Sequence, residues 1–115
     1  LWLTGVADIN ARASFPGIRL GGLMGVRDTA RINMIENQLR PSKVTDERVI
    51  GAFARLRREL FVPEHLRGVA YLDEDLPLGR GRYLMEPMIG ARLLQAMMPG
   101  AKETALVVGA GVGYE

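Results

Sequence analysis

The stretch Val107-Val108-Gly109-Ala110-Gly111-Val112-Gly113-Tyr114 constrains the fold more than any other part of the chain. A short apolar run over residues 104–108 leads into glycines at alternate positions, the pattern of a strand that turns sharply at its carboxyl end. Glycine there supplies backbone conformations that a Cβ disfavours and lets a ligand approach the main chain. In a parallel α/β sheet such a turn is a ligand loop, because the helix after it offers unpaired N–H groups. Only Glu115 follows Tyr114. The expected fold class is therefore α/β, with a helical N-terminal region and the first strand and glycine loop of a sheet that is otherwise missing. The spacing also discriminates between ligands. A dinucleotide fingerprint, G-x-G-x-x-G, would place its third glycine where Tyr114 stands, whereas the glycine here is Gly113. The loop points away from a nicotinamide enzyme.

Composition narrows the chemistry. The chain has no cysteine and a single histidine, His65, which excludes a thiol nucleophile, a disulfide framework and a His-rich metal centre within it. Its formal net charge is +2, with 15 Lys and Arg residues dispersed from Arg12 to Lys102 rather than gathered in a block. No nucleic-acid partner is expected from that pattern. With 48% hydrophobic and 24% charged residues the chain reads as a soluble globular piece. No membrane partner is expected, and a cysteine-free chain suits a cytoplasmic location.

Residues 1–23 show neither a helical apolar stripe nor a sustained strand alternation, and they read as a poorly ordered tail. Asp8, Asn10 and Arg12 interrupt the apolar run of about 7–15 residues that a secretory signal needs. Met24 opens a different texture, so the natural start is expected there.

From Asp28 the periodicity is helical. Ile32, Ile35 and Leu39 share a face, Asp28 or Thr29 is read as the N-cap, and Pro41 ends the run. A second helix is expected after an N-cap at Thr45, with Val49, Ile50, Phe53 and Leu56 turned inward. Arg55, Arg57 and Arg58 then read as its solvated, dipole-favoured end. Pro63 is expected to open a short turn, and residues 69–72 a brief extended piece. Asp73, Glu74 and Asp75 lack the alternation, central glycine and distal glutamate of a calcium loop, so they read as a solvated loop and no metal is expected. Gly79-Arg80-Gly81-Arg82 reads as a flexible crossing. A third helix opens at Pro87, carries Ile89, Leu93, Ala96 and Met97, and stops at Pro99-Gly100. Met85, Met88, Met97 and Met98 read as core filler, and the expected core is Val49, Phe53, Leu56, Ile89, Leu93 and Met97.

Several short matches in order carry more information than any one of them. The succession Asn33-Met34-Ile35-Glu36-Asn37-Gln38-Leu39-Arg40-Pro41, Val44-Thr45-Asp46-Glu47-Arg48-Val49, Phe61-Val62-Pro63, Ala70-Tyr71 with Pro77, Gly79 and Gly81, then Pro87 and the closing glycine loop, resembles the N-terminal part of the protein-L-isoaspartate O-methyltransferase family. The resemblance implies a class I methyltransferase with a Rossmann-like sheet. It implies residues 24–100 as the helical region and 101–115 as the start of the cofactor-binding domain. It further implies that S-adenosylmethionine is the cofactor, held at Gly109, Gly111 and Gly113, and that the substrates are proteins or peptides containing isoaspartate. A monomer is expected, and no catalytic residue is assigned.

Two departures from the family pattern stand out. Where the family usually reads Gln-Thr-Ile-Ser-Gln-Pro, this chain has Arg82-Tyr83-Leu84-Met85-Glu86-Pro87, with Met85 at the serine position. A thioether cannot donate a hydrogen bond to a substrate carboxylate, which leaves Tyr83 or Arg82 as its alternative partner. Val107 stands where the family commonly carries an acid, two residues before the first glycine. Two other readings stay open: a cofactor- or partner-binding protein without isoaspartyl repair, and an inactive fragment or small helical interaction module. The 115-residue chain alone is expected not to bind the cofactor, since a strand without parallel neighbours gives the loop no rigid frame.

Overall fold

A computed structural model describes residues 25–114; the expected tail at residues 1–23 and the start at Met24 lie outside the described residues. Helix α1, Val26–Met34, begins two residues before the sequence signal. Gly25 is its N-cap rather than Asp28 or Thr29, because the Gly25 carbonyl accepts from the N–H groups of both, at 2.9 and 3.1 Å. Asp28 instead occupies the first turn, where its carboxylate opposes the helix dipole and accepts from Arg31 at 2.6 Å. Apolar periodicity marks where a helix becomes buried, and Val26 is exposed. The helix runs on into a π turn, Ile35–Leu39. Met34, Ile35 and Leu39 are all buried there.

Helix α2 spans Glu47–Arg55 and helix α3 spans Pro87–Met97. The N-cap of α2 is Asp46, whose side chain accepts from the Arg48 N–H at 2.8 Å; Thr45 does not take that role. The reason lies on α3. Gln95 Oε1 accepts from the N–H groups of Thr45 and Asp46, at 2.7 and 2.9 Å, and Gln95 Nε2 donates to the Lys43 carbonyl at 3.0 Å. One side chain thus satisfies the backbone leading into α2. Gln95→Ala is expected to lower the unfolding free energy by about 0.5–1.5 kcal/mol, the net contribution of ordinary hydrogen bonds to groups that water can reach, and urea titration would measure it.

Asp46 also accepts from Arg48 Nε and Nη2, at 3.1 and 2.7 Å. The Arg48 side chain first, and its backbone N–H second, hold the Asp46 carboxyl below its ordinary range. A depressed carboxyl stabilises the fold above its unfolded pKa, about 3.9, and that contribution disappears as pH falls through the lower folded value. Asp46→Asn is therefore expected to flatten the acid limb of stability below about pH 4, as followed by urea melts at successive pH values. An unchanged slope would show that the cap carries no pH dependence.

The inward faces differ from the expected ones. On α2, Ile50, Gly51 and Phe53 are buried, but Leu56 is 42% exposed because the backbone leaves the helix there in an extended conformation. On α3 the buried residues are Pro87, Gly90 and Ala91, with Leu94 half-buried against the core, whereas Leu93 and Met97 are 52% and 57% exposed. Ile89 is half-buried. A stripe of small residues brings α3 close to its neighbours, and the larger apolar stripe beside it faces out. The four methionines expected as core filler likewise lie outside the core: Met85, Met97 and Met98 are exposed and Met88 is half-buried.

Between α2 and α3 the chain makes two 3-10 turns, Arg58–Leu60 and Glu64–Val69. Residues 69–72 turn rather than extend, with the Leu72 N–H donating to the Val69 carbonyl at 3.1 Å. That turn buries Ala70 and Tyr71. The Tyr71 hydroxyl donates to the Glu59 carboxylate, and Gln38 donates to the Tyr71 carbonyl at 2.8 Å, which ties the π turn to the 3-10 region. Burial, then the Glu59 carboxylate, pushes the Tyr71 phenol up, so it remains a donor at neutral pH.

The expected crossing at Gly79 to Arg82 is a hairpin turn joining β1, Leu76–Gly79, to β2, Arg82–Leu84. Gly79, Arg80 and Gly81 have φ of 89°, 54° and 72°, the left-handed values that a tight hairpin needs. Leu76 pairs with Leu84 on the buried side, and Pro77 with Tyr83. Residues 104–108 form no strand, since β1 and β2 make the only ladder among the described residues. Leu106 and Val108 are accordingly 79% and 83% exposed. The described fold is a small helix-rich domain with a two-stranded antiparallel sheet, and no Rossmann-like sheet is formed within it.

Candidate functional site

Gly109, Gly111 and Gly113 adopt φ of 72°, 56° and 77°. Alternate left-handed residues fold the main chain back on itself, and the Gly113 N–H closes one turn on the Ala110 carbonyl at 2.7 Å. A Cβ built at any of the three would meet nothing within 4 Å. Glycine is thus favoured here by backbone conformation, and the space above the loop is open to an incoming group. These are the residues that the sequence marks as a ligand loop.

Tyr114 anchors that loop. It is 5% exposed, with its ring edge-on to Phe53 of α2 at 5.7 Å and to Phe61 at 5.3 Å between centroids. The Arg58 guanidinium lies 4.9 Å from its ring centre. The loop itself is exposed, so its position relative to the core is set by the aromatic residue that follows it.

Arg58 is 0% exposed, against the solvated helix end read from sequence. Its Nε donates to the Ala70 carbonyl at 2.7 Å and its Nη2 to the Met85 carbonyl at 2.5 Å. Carbonyl acceptors and an aromatic face make burial of the charge tolerable. The α2 periodicity gives no hint of this, because the helix stops at Arg55 and Arg58 belongs to the next turn. The glycine spacing gives Tyr114 no role beyond breaking the dinucleotide pattern; an aromatic directly after a glycine loop is the available signal.

The segment from Arg82 to Pro87 is split by the hairpin. Arg82 and Tyr83 are exposed, Leu84 is buried, and the Met85 side chain is 37% exposed while its carbonyl is held by Arg58. The Glu86 N–H donates to Asp75 Oδ1 at 2.9 Å, so one member of the acidic trio supports this segment. Among the described residues no group of acidic or histidine side chains is placed to hold a metal ion, and no helix is long and apolar enough to cross a membrane.

A profile described as Protein-L-isoaspartate(D-aspartate) O-methyltransferase (PCMT) matches residues 29–115. The chain is 44% identical over 96 residues to a protein-L-isoaspartate O-methyltransferase of Aeropyrum pernix, covering 79% of this chain and 37% of the relative. It is 44% identical over 87 residues to protein-L-isoaspartate O-methyltransferase 2 of Anaeromyxobacter sp., covering 76% and 36%. A protein-L-isoaspartate O-methyltransferase of Herpetosiphon aurantiacus is 42% identical over 84 residues, covering 73% and 38%. The chain therefore spans little more than a third of the length of these relatives.

Proposed function

Because this chain belongs to the protein-L-isoaspartate(D-aspartate) O-methyltransferase family, we propose that the full-length protein carrying it methylates the carboxylate of isoaspartyl residues in damaged proteins and peptides. The methyl donor is S-adenosylmethionine, which supplies an electrophilic methyl on a sulfonium. The observation that carries the reading is the loop at Gly109, Gly111 and Gly113, left-handed at all three glycines and open above them. That geometry fits close approach of a cofactor to the main chain. Residues 24–100 serve as the helical region, and 101–115 begin the cofactor-binding domain. In this reading the full-length protein acts as a cytoplasmic monomer.

A carboxylate oxygen is a weak nucleophile, so the work of the protein is alignment. The loop holds the cofactor end of the site, and the Arg82 to Pro87 segment stands as the substrate end. Met85 offers no donor there. Arg82 and Tyr83, both exposed on β2, are the groups available to hold the carboxylate that the family's serine would orient.

Met85 also favours a second reading, a cofactor- or partner-binding protein without isoaspartyl repair. One experiment separates the two. The full-length protein is incubated with methyl-labelled S-adenosylmethionine and either an isoaspartyl peptide or its normal aspartyl counterpart. Label is expected in the isoaspartyl peptide alone, as a base-labile ester. Cofactor binding with neither peptide labelled would leave the second reading standing, and absence of cofactor binding would remove the repair reading together with the cofactor-binding form of the second.

A further inference from the structure

Arg58 joins three stretches of chain that have no sequence proximity. It donates to the Ala70 carbonyl in the turn after the second 3-10 segment, donates to the Met85 carbonyl after β2, and lies over the Tyr114 ring after the glycine loop. The side chain is fully buried. Burying a guanidinium is costly unless its donors are used, and here two of the groups it engages flank the two halves of the proposed site. Met85 is the serine-position residue, and Tyr114 is bonded directly to Gly113.

We propose that Arg58 is a positioning residue that sets the glycine loop against the Met85 segment, so that the cofactor and substrate ends of the site keep one spacing. The functional meaning of that spacing rests on the methyltransferase reading; the coupling itself rests on geometry alone. An arginine suits the task for a physical reason. Its planar fork donates to the Ala70 and Met85 carbonyls while its central carbon lies over the Tyr114 ring, 4.9 Å from the centroid. A lysine ammonium has the charge but not the fork. Tyr114 transmits the position to the loop, because the Gly113 N–H turn onto Ala110 immediately precedes it. Neither Arg58 nor Tyr114 contacts the reacting atoms in this account.

The test uses the full-length protein and two readouts: calorimetric binding of S-adenosylhomocysteine, and hydrogen exchange at the Gly113 amide. Arg58→Lys and Tyr114→Leu are each expected to weaken binding by about tenfold or more, as misplacement of a site does, and to speed exchange at Gly113. Tyr114→Phe keeps the ring, and its loss is expected to be several-fold smaller than that of Tyr114→Leu. Gln95→Ala is the control, since it destabilises the fold through the α2 cap, and it is expected to leave both readouts within about twofold. If Arg58→Lys does not fold, Arg58→Gln is measured in its place and is held to the same expected losses. The coupling is overturned if Arg58→Lys or Tyr114→Leu changes neither readout beyond the Gln95→Ala control. If the parent protein fails to bind S-adenosylhomocysteine, the methyltransferase reading falls, and the Gly113 exchange rates still decide the coupling.

Discussion

Truncating Phe53 to Ala is expected to lower the unfolding free energy by about 3–5 kcal/mol, the usual cost of removing a buried aromatic ring. Phe53 is 4% exposed on the inward face of α2, and its ring meets the Tyr114 ring at 88°, an edge-to-face pair. Such a pair contributes about 0.5–1.5 kcal/mol beyond area burial. The lesion is therefore a cavity in the core together with a lost wall of the Tyr114 pocket. Urea denaturation of the full-length protein measures it. Leu56→Ala, 42% exposed just past the C-terminal end of α2, serves as the comparison and should lose much less. Equal losses at the two positions would mean that the inward face of α2 has been assigned wrongly.

Gly111→Val is expected to abolish measurable cofactor binding in the full-length protein while leaving the fold largely intact. Gly111 sits at φ 56°, and a β-branched residue there is strained by about 1–3 kcal/mol. A Cβ at that position meets no neighbouring protein atom within 4 Å, so no clash adds to the strain in the unliganded protein. The isopropyl group instead fills the open space above the loop, and relieving the strain moves the main chain that faces the ligand. A modest drop in melting temperature with a loss of S-adenosylmethionine binding is the expected signature. Parental affinity in this variant would show that residues 109–113 are an ordinary turn.

The parts of the fold that were legible in the sequence are those set by near neighbours along the chain. Pro87 opens α3 as its first residue, because its fixed φ and missing N–H suit that position. The break after Leu39 and the negative start of α2 at Asp46 and Glu47 were also visible, although the cap moved from Thr45 to Asp46. The hairpin at residues 79–82 was marked by its glycines but read as a crossing, since the pairing of Leu76 with Leu84 depends on a partner strand and not on the turn. The same dependence explains residues 104–108. Their apolar character gives β propensity, but no neighbouring strand is present among the described residues to complete a ladder.

The sequence by itself determined the glycine loop, because left-handed backbone at residues 109, 111 and 113 is a property of single residues that glycine alone adopts at little cost. It also determined the helical identity of α2 and α3 through capping and period. Only the tertiary structure decided which stripe of α3 faces inward, placing Gly90 and Ala91 against the core in preference to Leu93 and Met97. It alone decided that Arg58 is buried. The carbonyls that accept from Arg58 lie 12 and 27 residues along the chain, and the ring beneath it follows the glycine loop. Caps and turns are read over a few residues, whereas the solvation of a charge depends on whatever the folded chain brings beside it.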